Sequence, residues 1–97
     1  MIPSTAHIRI AADGTAQVEA ALRLTPSSHI RCSTYLDRPA IVTVADGLVS
    51  VSLTVPDPAQ VSVDDLDAAV RLAEALADYI ADLRRQMAVQ DRAADAA

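Results

Sequence analysis

Three groups of residues in this chain are of types that could do chemistry. His29 and Cys32 stand three apart, and imidazole with thiolate is a common pair of metal ligands. In a strand an odd spacing puts the two side chains on opposite faces. Outside the pair, only His7 and scattered aspartates could complete a ligand set. Cys32 has no evident neighbouring base to make it a nucleophile. The alternation around it reads it as a small buried residue. The cluster Asp64-Asp65-x-Asp67 carries enough carboxylate for a cation. It lacks the oxygen-rich loop of a calcium site, and it opens a helix, where negative charge complements the dipole. The chain has two glycines, Gly14 and Gly47, and both follow Asp in turn-forming pairs. No glycine-rich phosphate cradle is left, and neither a nucleophile elbow nor a zinc-protease helix is present. The expectation is a protein that is not an enzyme, with no catalytic residue, no metal site and no cofactor.

The elements that carry these residues follow from patterning. Ile8 and Ile10 alternate with polar neighbours before Asp13-Gly14, and Val18, Ala20 and Leu22 alternate after it. A three-residue loop at 12–14 sets Ile10 opposite Ala16 and Ile8 opposite Val18. A two-residue loop would set them opposite Gln17 and Glu19, so the three-residue loop with left-handed Gly14 is expected. Around Asp46-Gly47 a two-residue type I′ turn pairs Val44 with Val49 and Val42 with Val51. Val49, Val51, Leu53 and Val55 then alternate with Ser50, Ser52 and Thr54, a strand with one covered face. Residues 29–36 read as a middle strand with Ile30, Cys32 and Leu36 inward. Pro56-Asp57-Pro58 ends the last strand.

Ser62 is a good N-cap, Asp65 takes the capping-box position, and Val61 and Leu66 form a hydrophobic staple. Leu66, Val70, Ala73, Ala77, Ile80, Leu83 and Met87 recur at steps of three and four, and Leu72, Leu76 and Tyr79 widen that stripe. The fold class is α+β: an antiparallel sheet of four to five strands, about residues 6–56, followed by one long C-terminal amphipathic helix, about 63–87, packed on one face. Residues 88–97 form a tail expected to fray, and 1–97 is a single domain.

Composition narrows the function. The 97 residues include 20 alanines, no Phe and no Trp, so a core must be built from small side chains. Small domains of this kind often gain burial by self-association. The net charge is −5, and all eight basic residues are Arg. An acidic balance disfavours nucleic acid and anionic membranes as partners. The Arg-for-Lys bias, with abundant Ala and Asp, suggests a GC-rich genome. A lone Cys and no visible signal peptide fit a cytoplasmic protein. No apolar run approaches the ~20 residues of a membrane span.

The order of elements, strands and then the helix DDLDAAVRLAEALADYIADL, resembles that of single-stranded-DNA-binding transcriptional coactivators. It is similar also to small actinobacterial proteins of unknown function whose sheet and helix are like a double-stranded-RNA-binding domain. The resemblance covers element order and the terminal helix. Separately, Arg9, Arg23, Arg31 and Arg38 lie in or beside the expected strands, where their polar face could form a basic patch for nucleic acid. The chain departs from such binders in having no Lys and no strand aromatic besides Tyr35.

Three functions are therefore weighed. The first is a small non-enzymatic interaction or regulatory protein acting as a homodimer through Leu76, Tyr79, Ile80, Leu83 and Met87. The second is a nucleic-acid-binding regulator using the strand arginines. The third is a small enzyme or ligand carrier with an unrecognised site.

Overall fold

The computed structural model describes residues 2–96. The chain divides into two compact units, residues 1–59 and 60–97. The first holds five strands: β1 (Thr5–Ile10), β2 (Ala16–Ala21), β3 (His29–Ser33), β4 (Ile41–Ala45) and β5 (Ser50–Leu53). The second holds one helix, α1 (Val63–Ala96). This is the α+β class, with every strand pair antiparallel.

The strands form two sheets, β1-β2 and β3-β4-β5, where the sequence suggested one. Residues 22–28, with a turn tied by the Ser28 amide donating to the Thr25 carbonyl, separate them. An isolated two-stranded sheet is of marginal stability by itself.

The first turn has the expected form. Ile10 faces Ala16 and Ile8 faces Val18. The Ala11 amide donates to the Thr15 carbonyl at 2.8 Å, enclosing a three-residue loop. Gly14 has φ 87°, which only glycine adopts without strain. Asp13 Oδ1 accepts from the Thr15 amide at 3.0 Å and from the Thr15 hydroxyl at 2.7 Å.

The second turn differs from expectation by one residue. Val44 faces Val51 and Val42 faces Leu53. The Asp46 amide donates to the Val49 carbonyl at 3.1 Å, so the loop is Gly47-Leu48 rather than Asp46-Gly47. Gly47 alone has positive φ, at 96°, the sign pattern of a type II′ turn and not of type I′. The cause is the Asp46 side chain. Its Oδ1 accepts the amides of Leu48 at 2.9 Å and Val49 at 2.8 Å, an arrangement that keeps Asp46 out of the left-handed region. Moving the loop one residue along shifts the pairing by two, so the apolar faces stay together.

The capping box of α1 is formed as expected. The Asp65 amide donates to Ser62 Oγ at 3.3 Å, and the Ser62 amide donates to Asp65 Oδ2 at 2.9 Å. The helix continues past Met87 to Ala96. The segment AVQDRAADA contains neither Gly nor Pro, and alanine is the best helix former, so nothing in it stops the helix.

Burial is thin. Among the described residues, no hydrophobic side chain is fully buried, and the only buried residue is Ser4. Strand β4, with a neighbour on each side, is half-buried throughout.

Candidate interaction surface

The five helix residues singled out for an interface fall on one side of α1. At 3.6 residues per turn, Leu76, Tyr79, Ile80, Leu83 and Met87 lie within about 100° of arc. They are 50, 51, 45, 44 and 62% exposed. Leu66, Val70 and Leu72 extend the same apolar surface and are exposed as well. On the outer face the Arg85 guanidinium donates to Asp82 Oδ1 at 2.6 Å, a pairing one turn apart that supports the helix itself.

A second apolar surface lies on β1-β2. Ile8, Ile10 and Val18 share one face, and all three are exposed. The opposite face is polar. There the Arg9 guanidinium donates to Glu19 Oε2 at 2.6 Å, and His7 Nε2 stands 2.9 Å from the same oxygen.

The four strand arginines occupy different settings. Arg9 belongs to the β1-β2 sheet and is paired with Glu19. Arg31 belongs to β3, opposite Thr43. The guanidinium of Arg38 stacks over the Tyr35 ring, 4.0 Å from its centroid. Arg23 follows β2, and its backbone amide, not its side chain, makes the contact described there, to Ser4 Oγ at 2.8 Å. Arg38 also borders a shallow groove of about 280 Å³ with Pro39, Ile41, Thr54, Val55 and Pro58. Its lining is mostly apolar, and Arg38 is its one titratable group.

Cys32 is exposed, which corrects its assignment to the core. Ile30 and Leu36 are exposed with it. Ile30 and Cys32 do share one face, and the pairing sets it with Val44 and Val42. However, β3 is an edge strand, and sharing a face with half-buried residues does not cover it. Leu36 lies beyond the end of β3. His29 pairs with Ala45 and Cys32 with Val42, so the two potential ligands remain on opposite faces. No group of three or more metal-binding side chains occurs among the described residues. No helix there is long and apolar enough to cross a membrane.

No family model, curated protein or solved structure matches this chain.

Proposed function

We propose that this chain is a small non-enzymatic interaction protein that acts as a homodimer through α1, with a regulatory role in the cytoplasm. The observation that carries the reading is the apolar side of α1. Leu76, Tyr79, Ile80, Leu83 and Met87 form a continuous surface, and each is at least 44% exposed. Contiguous apolar surface of this extent marks an interaction site in a soluble protein. A second copy is the simplest partner, because a two-fold axis buries the same surface twice. The thin burial of the chain points the same way, since small domains gain their missing core by association. The lone Cys32 supports a reducing compartment.

The nucleic-acid reading has less behind it. Two of its four arginines are engaged, one by Glu19 and one by Tyr35, and the chain carries a net charge of −5. The ligand-carrier reading rests on the groove beside Arg38 alone.

Sedimentation equilibrium at micromolar concentration tests the homodimer. A mass near twice 10.2 kDa is expected. A mass of one chain overturns it. Leu83→Asp should dissociate the dimer, because an unpaired carboxylate buried in an apolar contact is costly.

A further inference from the structure

Most apolar positions along the centre of the α1 face also fall on a seven-residue repeat, which ends on the polar Gln90. Leu66, Ala73, Ile80 and Met87 recur every seven residues, and Ala69, Leu76, Leu83 and Gln90 each follow three later. This is the seam pattern of a helix that pairs with another helix. Size is distributed unevenly along it. The alanines, Ala69 and Ala73, lie in the N-terminal half, whereas Ile80, Leu83 and Met87 lie in the C-terminal half. Charge is uneven in the same direction. Asp64, Asp65, Asp67, Glu74 and Asp78 against Arg71 leave the first half at net −4. In the second half Arg84, Arg85 and Arg92 cancel Asp82, Asp91 and Asp95.

We infer that the occupant of this face is a second copy of α1 running antiparallel, with the two-fold axis near Asp78. The inference rests on the homodimer reading and adds its geometry. In this register Ala69 faces the partner's Met87, Ala73 faces the partner's Leu83, and Leu76 faces the partner's Ile80. Every small residue of the seam meets a large one, which keeps the helix axes evenly spaced and the seam filled. A parallel pair in register sets Ala69 and Ala73 against themselves and leaves a gap at one end. It also sets the net −4 half beside its own copy, where the antiparallel pair sets it beside the neutral half.

The antiparallel register also places Arg84, which flanks the apolar arc on the side of Leu66 and Val70. Its stem covers the partner's Val70, and its guanidinium falls between the partner's Asp67 and Glu74, one turn to either side. Tyr79 flanks the seam at the axis and lies beside the partner's Tyr79.

The test uses the full chain with Cys32→Ser and Arg92→Cys, the new thiol carrying a nitroxide. Arg92 lies on the outer side of α1, away from the seam. Pulsed dipolar spectroscopy should give a label separation of about 47 Å, from an axial offset of about 42 Å (fourteen residues on each side of the axis) combined with about 20 Å across the two helices. A separation of about 20–25 Å, the width of two adjacent helices, means a parallel pair and overturns the inference while leaving the homodimer intact. A separation displaced by about 10 Å means a register one heptad away and overturns the placement of the axis. No dipolar coupling together with a one-chain mass in the centrifuge overturns the homodimer reading itself.

Discussion

The Ser4 hydroxyl lies beside the Asp46 carboxylate and is the foremost cause of that carboxyl's lowered pKa. The two residues are 42 positions apart, one ahead of β1 and the other in the β4-β5 turn. The same hydroxyl accepts the Arg23 amide at 2.8 Å. One side chain thus ties the entry of β1 to the exit of β2 and stands beside the turn of the second sheet. Ser4, 7% exposed, is the only buried residue among those described. Ser4→Ala removes the hydroxyl and leaves a partly buried amide without its partner, at a cost of about 1–2 kcal/mol. Urea denaturation of the variant should show a lower midpoint.

Acid should loosen both hairpin turns. The Asp46 carboxyl is held low by Ser4 and by the Val49 and Leu48 amides. The Asp13 carboxyl is held low by the Thr15 amide and then by its hydroxyl. A folded pKa below the ordinary 3.8 means that the charged form is favoured by folding. The stabilisation is therefore present above 3.8 and is lost as pH falls through the lowered values. Asn at position 46 can still accept the turn amides but has no charge to titrate. The drop in urea midpoint between about pH 7 and about pH 3 should be smaller in Asp46→Asn than in the native chain. An equal drop in the two proteins would mean that Asp46 does not contribute to acid lability.

Gly47→Val should destabilise the second hairpin by about 1 kcal/mol or more. A Cβ at Gly47 would meet nothing within 4 Å, so the cost comes from the backbone at φ 96° and not from a clash. Leu48 has no positive φ. Leu48→Val should therefore cost much less, and thermal unfolding of the two variants separates the explanations. Equal losses would mean that the turn is not held by Gly47.

The helix start offers a similar check. Ser62→Ala removes the acceptor for the Asp65 amide and should cost about 1 kcal/mol. The loss should appear in circular dichroism as reduced helicity, or as a lower midpoint for the helical signal.

Much of this fold was legible because two rules of parity decide it. A one-residue slip in the first hairpin would have faced Ile8 with Glu19, so only the three-residue loop kept the apolar residues together. In the second hairpin, registers two residues apart keep the same faces. Alternation therefore could not choose between Asp46-Gly47 and Gly47-Leu48, and the choice fell to hydrogen bonds from the Asp46 side chain. The start of α1 was written in Ser62 and Asp65. Its end was not, because an alanine-rich segment without Gly or Pro carries no stop signal. The division into two sheets was hidden for a related reason: alternation along β2 and β3 assigns faces but does not say which edges pair. The arginines were legible as residues of the strands but not as a group, since pairing to Glu19 and stacking on Tyr35 depend on contacts across the chain.

Cys32 shows the same limit at a single residue and gives the last prediction. Alternation placed it on one face with Ile30, and the pairing sets that face with Val42 and Val44. Whether anything lies over that face is a separate matter, and Cys32 is exposed. A thiol reagent should therefore label it readily under native conditions, at a rate close to that in urea. The proposed contact is made by α1 alone, so labelling should be equally fast in the native chain and in Leu83→Asp. Slow labelling that becomes fast in Leu83→Asp would place β3 in the dimer contact. Slow labelling in both would mean that the face carrying Cys32 is covered in the folded protein.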